Sequence, residues 1–246
     1  MPKQGSAGFS DNTPMKEEHF RMILGTHMRI VKGLLGRQRW MVPFYVYGDL
    51  NAGPGDYSPA YGFPLFGSPV IALTVAKAIG LPLQAAFYEQ DATTIIALRR
   101  ALLNSGMWAD PQRPDLFFRT PEQAALIYEG DYHTNALTAL EHFQEHHNPK
   151  SIYGLLYSDE NGNCPPFALL GDYAKVLPRL DVLIHVAATP IKRQFYSPVH
   201  PLMKRLDELM AMVPKDYWMI REPYGRHQWT FLIGTNWHSF PRFRTQ

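Results

Sequence analysis

Glycines and an acid follow the first strand-like segment of the chain, and this combination can hold a ligand. The segment "FYVYGDLNAGPG" runs from Phe44 to Gly55. Glycine has no Cβ, so Gly53 and Gly55 would let a ligand come close to the backbone. The candidate ligand-binding residues of this turn are Asp49, Asn51, Ala52, Gly53 and Gly55.

The composition of the turn favours a cationic ligand over a phosphate. The pattern G-x-G-x-x-G is absent, and Pro54 lacks an amide hydrogen that would help to hold a phosphate. The carboxylate of Asp49 can instead attract a positive group. The aminopropyl group and the sulfonium of S-adenosylmethionine are such groups. The alternative is a purely structural turn that needs small residues.

Acids also end the next two strand-like segments. "LQAAFYEQD" contains Glu89 and Asp91, and we expect Glu89 to accept hydrogen bonds from both ribose hydroxyls of the cofactor. "AALIYEGD" ends at Asp131, which would accept from the adenine amino group. In a doubly wound sheet, ligands bind beyond the carboxyl ends of the strands. Acids at three successive strand ends therefore predict one S-adenosylmethionine site.

The fourth strand-like segment ends in "LLYSDENGNCPPF", where we expect the catalytic group. Methyltransferases that act on base amino groups use Asp/Asn/Ser-Pro-Pro-Tyr/Phe: the polar residue holds the amine and the aromatic ring stacks on the base. Here the same residue types occur in another register, because a cysteine precedes the two prolines. The alternative is that the prolines simply begin a helix. The predicted catalytic residues are Asp159, Asn161 and Phe167, and the predicted substrate-binding residues are Ser158, Asn163, Lys192 and Arg193.

Strand-like and helix-like segments alternate after residue 43, which predicts a mainly parallel sheet covered by helices on both faces. The segment "SPVIALTVAKAIG" is predicted as a helix with Ser68 as its N-cap and Gly80 as its end, and "TNALTALEHFQEHH" is predicted as a later helix. The last two strand-like segments, "DYWMIREPY" and "HQWTFLIGTNW", follow one another across a short link. We therefore predict an α/β, Rossmann-like class I methyltransferase fold, with a mostly parallel seven-stranded sheet and an antiparallel C-terminal hairpin. The last strand should lie beside the fifth or sixth. The predicted domains are an N-terminal arm and helical extension, 1–40, and the methyltransferase-like domain, 41–246.

The composition is that of a globular protein. Hydrophobic residues make up 46% and charged residues 19% of the 246 residues. The single cysteine excludes a disulfide framework and indicates a reducing compartment. The net charge of +2 argues neither for nor against a nucleic-acid partner. No apolar run could span a bilayer, so we expect a cytoplasmic protein without a membrane partner.

Several motifs resemble those of the three-Cys-motif partner proteins of bacteria and phages. They are "DLNAGPG…GSPVIAL", "YSDENG", "ATPIKR" and "REPYGRHQWTFLIGTNW", within about Phe44 to Trp237. The resemblance implies a methyltransferase-like fold and a protein partner bearing a three-cysteine motif. The glycine turn followed by Gly-Ser-Pro is also similar to ribosomal-RNA adenine-N6 methyltransferases. The chain departs from its relatives at "SDENG", where they tend to have an Asp-Pro-containing turn.

These observations predict an S-adenosylmethionine-dependent methyltransferase that modifies an amino group of a DNA or RNA base, adenine N6 being favoured. A non-catalytic methyltransferase-fold partner subunit is the main alternative. A remote alternative is a zinc peptidase, because "HFQEH" from His142 to His146 matches H-x-x-E-H with Glu145 as the base. That site would need a third protein ligand, so we predict no metal.

Overall fold

The computed structural model describes residues 13–38, 40–106, 124–132, 145, 147–160, 164–187, 206–221 and 229–245. The chain forms two compact units, Met1–Gly154 and Leu155–Gln246. The division into an N-terminal extension, 1–40, and a domain, 41–246, stays a prediction. Across the described residues, no helix has the length and apolar character needed to cross a membrane.

The first unit alternates helices and strands. Its elements are α1 (Thr13–Leu35), β1 (Tyr45–Asp49), α2 (Ser58–Tyr61), α3 (Ser68–Ile79), β2 (Leu83–Glu89), α4 (Ala92–Asn104), β3 (Ala124–Glu129) and a short 3-10 helix, Pro149–Ser151. Every residue of β1 is buried, as expected for a strand covered on both faces. Its core contains Phe20, Leu24, Ile71, Phe87 and Leu98.

The second unit contains the antiparallel part of the sheet. Its elements are β4 (Gly154–Ser158, which starts at the last residue of the first unit), α5 (Phe167–Val176), β5 (Leu180–Ala187), α6 (Leu206–Met210), β6 (Tyr217–Arg221), β7 (Trp229–Thr235) and β8 (Phe243–Thr245). Its core contains Leu170, Tyr173, Leu183, Met219 and Phe231.

The strand order is β3-β2-β1-β4-β5-β7-β6-β8. β2 pairs in parallel with both β1 and β3. β7 pairs antiparallel with β5 and with β6. The predicted fold class is confirmed: the sheet is mostly parallel, and the antiparallel β7 lies beside the fifth strand as in class I methyltransferases.

Two short elements were not predicted. α2 occupies the loop after the glycine turn, where Pro59 lies in its first turn and Gly62 ends it in a left-handed conformation. β8 adds an eighth strand by pairing antiparallel with β6. One predicted cap is wrong: Gly67, and not Ser68, is the N-cap of α3. The helix predicted over "TNALTALEHFQEHH" lies almost wholly outside the described residues.

Candidate functional site

The ends of three parallel strands in the first unit form a stepped edge. The register aligns Asp49, the last residue of β1, with Phe87, so β2 continues two residues further to Glu89. Glu89 aligns with Glu129, the last residue of β3, and Asp131 follows two residues later. Because a strand rises about 3.3 Å per residue, Glu89 lies about 6.6 Å beyond the level of Asp49 along the strands. The three predicted acids thus follow one another along one edge of this unit.

Asp49 is fully buried and holds the beginning of the turn. The hydroxyl of Tyr47 donates to its Oδ2 at 2.9 Å, and the backbone N–H of Asn51 donates to its Oδ1 at 3.3 Å. Burial, followed by the charge of Asp49, raises the pKa of Tyr47 well above its usual value, so the hydroxyl keeps its proton at neutral pH. Asp49 therefore stabilises the start of the turn through hydrogen bonds, and its carboxylate is not exposed to solvent.

Glu89 connects the end of β2 to the turn after β1. Its Oε2 accepts the N–H of Gly53 at 3.0 Å, and its Oε1 accepts the N–H groups of Gln90 and Asp91, both at 2.9 Å. Asp91 has another task, because it caps α4 by accepting the N–H of Thr94 at 2.6 Å, and this bond lowers its pKa. Of the two acids, Glu89 is the one that contacts the glycine turn.

The two glycines of the turn make room for protein atoms. Gly53 and Gly55 have φ of 63° and 72°, the left-handed region that favours glycine. A Cβ on Gly55 would lie 3.0 Å from Cδ1 of Leu98 and 3.2 Å from Cβ of Ala101. Gly55 is buried, and the absence of a Cβ lets the turn pack against α4. Its role in ligand approach stays a prediction. A Cβ on Gly53 would lie 2.9 Å from the hydroxyl oxygen of Tyr57, while Gly53 itself stays partly exposed.

Tyr57 is a residue of this site that sequence reasoning missed. Segment 55–67 folds back on itself through hydrogen bonds from Tyr57 N to Leu65 O at 2.8 Å and from Gly67 N to Gly55 O at 2.9 Å. A Cβ on Gly67 would lie 3.0 Å from Cε2 of Tyr57. The ring is therefore held against the turn by glycines on two sides. An aromatic residue between closely spaced glycines was the signal that could have revealed it.

The remaining predicted cofactor residues differ in exposure. Asn51 is partly exposed, whereas Ala52 is buried and its N–H donates to the carbonyl of Tyr88 at 3.1 Å. This backbone hydrogen bond from Ala52 connects the turn to β2. Asp131 is exposed beyond the end of β3.

In the second unit, Asp159 follows β4 directly and forms a partly buried pair with a histidine. Nδ1 of His185 lies 2.7 Å from Oδ1 of Asp159, and the two side chains are 13% and 11% exposed. The ring of His185 also packs at a tilt on Phe231, with ring centroids 5.4 Å apart. His185 was not predicted from the sequence, because the pair joins residues 26 positions apart. The neighbouring Ser158 is fully buried.

Phe167 is a core residue of the second unit. It is the first residue of α5, directly after the N-cap Pro166, and is 2% exposed. Its ring lies 6.2 Å from that of Trp218. Stacking on a base would require the ring to leave this core. The structure therefore supports the alternative that the two prolines begin a helix.

Several predicted residues lie outside the described part of the chain. These are Asn161, Asn163, Lys192 and Arg193, together with His142 and His146 of the H-x-x-E-H pattern. Glu145 of that pattern is described and is exposed. In the ranges that the structure describes, no group of three His, Cys, Asp or Glu side chains could hold a metal ion.

Comparison with known proteins gives structural matches only. No family model matches the chain, and no curated protein matches it either. Cofactor-bound Rv0187 from MTB matches with a TM-score of 0.49 and 11% identity over 96% of this chain and 83% of its own. Protein LPL1258 from Legionella pneumophila, of family model DUF519, matches with a TM-score of 0.48 and 11% identity over 88% and 85%.

The O-methyltransferase from Bacillus cereus in complex with SAH matches with a TM-score of 0.41 and 10% identity over 93% of this chain and 92% of its own. Such scores and identities carry no argument about the reaction or the site of this chain. The fold assignment rests on the strand order, and the relation to the three-Cys-motif partner proteins stays a prediction.

Proposed function

We propose that the first unit binds S-adenosylmethionine and that the chain is a methyltransferase acting on an amino group of a nucleic-acid base, adenine before cytosine. The observation that carries the proposal is the hydrogen bond from Gly53 to Glu89 at 3.0 Å. It joins the turn after β1 to the acid after β2, at the carboxyl ends of two parallel strands. Ligands of doubly wound sheets bind at such ends.

The charges of the residues at this edge, and their order along it, match the successive parts of the cofactor. The buried carboxylate of Asp49 lies under the turn and favours a cationic sulfonium and ammonium nearby. Glu89 already accepts three backbone N–H groups, two on Oε1 and one on Oε2, so one lone pair on Oε2 is left to accept from a single ribose hydroxyl instead of the two that the sequence predicted. Asp131, one step further along the edge, would accept from the adenine amino group. When bound, the cofactor supplies an electrophilic methyl group.

The carboxylate of Asp159 would accept hydrogen bonds from the amino group of the base that receives the methyl group. The lone pair of an exocyclic amine is delocalised into the ring, so the amine is a weak nucleophile. A carboxylate that accepts its hydrogens increases the negative charge on nitrogen in the transition state. The bond to His185 at 2.7 Å would fix the orientation of Asp159 during this step. A base inside a duplex hides its amine, so the substrate would be single-stranded or flipped out.

Transfer of labelled methyl groups to DNA, RNA and free nucleosides tests this proposal. We expect labelling of a single-stranded nucleic acid, and a loss of turnover on the order of 100-fold in Asp159→Asn with nearly unchanged cofactor affinity. The asparagine keeps the shape of the side chain and an oxygen that can bond to His185. A loss of turnover in this variant would therefore be due to the missing negative charge. Asp172→Asn, an exposed acid paired with Lys175 on α5, is the control and should retain activity.

A non-catalytic partner subunit is the second candidate, and the burial of Phe167 against Trp218 favours it. In that case the ring that stacks on the base in amino-methyltransferases has become part of the core. Such a protein would bind the cofactor but would transfer no labelled methyl group to DNA, RNA or nucleosides. Its partner would be a protein bearing a three-cysteine motif, and co-purification of the two proteins would test the pairing.

A further inference from the structure

The ring of Tyr57 lies against the glycine turn that carries the proposed cofactor site. A Cβ on Gly53 would lie 2.9 Å from the hydroxyl oxygen of Tyr57 and 3.8 Å from its Cζ. The N–H of the same glycine donates to Oε2 of Glu89 at 3.0 Å. These distances place the phenol end of Tyr57 at the residue that joins the turn to β2.

A second glycine makes room for this ring at the start of α3. Gly67 has a φ of −75° and a ψ of 174°, a conformation that any residue adopts, so the backbone does not require glycine there. A Cβ on Gly67 would, however, lie 3.0 Å from Cε2 and 3.5 Å from Cζ of Tyr57. Gly67 is also the N-cap of α3, a position that favours a side chain able to accept a hydrogen bond, and this helix has no such bond. The helix thus lacks a capping side chain at the point where the ring of Tyr57 needs space.

The backbone of Tyr57 is fixed by hydrogen bonds on both of its polar groups. Its N–H donates to the carbonyl of Leu65 at 2.8 Å, and its carbonyl accepts the N–H groups of Ala60 at 3.0 Å and Tyr61 at 3.2 Å. The residue nevertheless stays partly exposed, so it is not a core residue. A ring that is already fixed beside the turn and still open to solvent suits contact with a ligand, because it loses little conformational freedom on binding.

We propose that the ring of Tyr57 contacts the sulfonium of the cofactor and makes the site favour S-adenosylmethionine over S-adenosylhomocysteine. This inference rests on the proposed function, because it concerns the same ligand. In that function Asp49 attracts the cationic groups and Glu89 accepts from the ribose, and the sulfonium is the cationic group nearest to the ribose. Gly53 lies between the two acids, since it follows Asp49 in the turn and bonds to Glu89. The face of an aromatic ring attracts a cation, whereas the thioether sulfur of S-adenosylhomocysteine carries no charge.

Calorimetric titration of the full chain with these two ligands tests this inference. Tyr57→Leu removes the aromatic ring, and we expect it to weaken S-adenosylmethionine binding about 5-fold more than S-adenosylhomocysteine binding. Tyr57→Phe keeps the ring and should leave the ratio of the two affinities within about 2-fold of the wild-type ratio. Phe63→Leu is the matched control: Phe63 is an exposed aromatic residue of the same segment that packs on Tyr61, and this variant should bind both ligands normally.

An unchanged ratio of affinities in Tyr57→Leu would overturn the inference, because the ring would then only support the turn. An equal change of the ratio in Tyr57→Phe and Tyr57→Leu would also overturn it. If Tyr57→Leu fails to fold, nuclear magnetic resonance of the wild type provides the test. Nuclear Overhauser effects should connect the S-methyl protons of bound S-adenosylmethionine with the ring protons of Tyr57, assigned by comparison with Tyr57→Phe, and their absence would contradict the contact. If the wild type binds neither ligand, the proposed function fails and this inference fails with it, whereas the ratio of affinities concerns Tyr57 alone.

Discussion

At the scale of single residues, the site depends on which hydrogen bonds each acid already makes. Asp49 is buried under the turn, Asp91 caps a helix and Glu89 contacts Gly53. The sequence predicted the strand-end acids Asp49, Glu89 and Asp131 but could not rank their exposure, because burial depends on residues far along the chain. Gly55 shows the same limit, since its neighbours Leu98 and Ala101 belong to a later helix.

Glu89→Gln should weaken S-adenosylmethionine binding about 10-fold or more, because it removes the charged acceptor of a ribose hydroxyl. The glutamine keeps one oxygen, which can accept either from Gly53 or from Gln90 and Asp91. Glu129→Gln is the matched control: Glu129 is the neighbouring strand-end acid, is 57% exposed and pairs with Arg99. Calorimetric titration measures both variants. Equal losses in the two variants would mean that Glu89 has no specific contact with the cofactor.

Ionisation of Tyr128 should lower the free energy of unfolding at alkaline pH. Burial raises its pKa from 10.0 to about 12, and its ring stacks on Tyr88 at 5.1 Å. Between these values the unfolded chain binds fewer protons than the folded chain, so the free energy of unfolding falls as pH rises. From pH 9 to 11.5 the wild type should lose about 2 kcal/mol more than Tyr128→Phe. Denaturant unfolding at several pH values measures this, and parallel curves would refute it.

At the scale of elements, the strand and helix ends could be predicted because short local sequence patterns determine them. β1, β2 and β3 end at or close to the acids that the sequence pointed to, and Gly80 ends α3 with a φ of 66° as expected. β8 was missed because three residues of an edge strand carry no periodic pattern. The pair of Asp159 and His185 was missed because it depends on contact between the residue after β4 and a residue of β5, 26 positions apart.

Two helical glycines should respond to alanine with opposite signs. A Cβ on Gly171 in α5 would lie 2.2 Å from the backbone oxygen of Met212, which cannot move without the chain. Gly171→Ala should therefore destabilise the protein by about 1–3 kcal/mol. Gly33 in α1 is exposed, and a Cβ added there would meet no atom within 4 Å, so Gly33→Ala should stabilise the protein by about 0.5–1 kcal/mol. Denaturant unfolding measures both, and a stabilising Gly171→Ala would contradict the packing.

At the scale of the whole molecule, the two units carry different parts of the proposed chemistry. The unit Met1–Gly154 contains the residues assigned to the cofactor, and the unit Leu155–Gln246 contains Asp159 and His185. The strand order identifies the fold, but a fold alone does not determine a reaction. Cofactor binding is therefore the claim on which both the methyltransferase and the partner-subunit proposals depend.

Calorimetric titration of the full chain with S-adenosylmethionine and S-adenosylhomocysteine tests that claim most directly. We expect saturable binding of one molecule of either ligand per chain. Ligand binding should also stabilise the folded state by about 2.7 kcal/mol when the free ligand is at 100 times its dissociation constant. A folded chain that binds neither ligand, and whose thermal unfolding neither ligand shifts, would show that this fold does not bind S-adenosylmethionine.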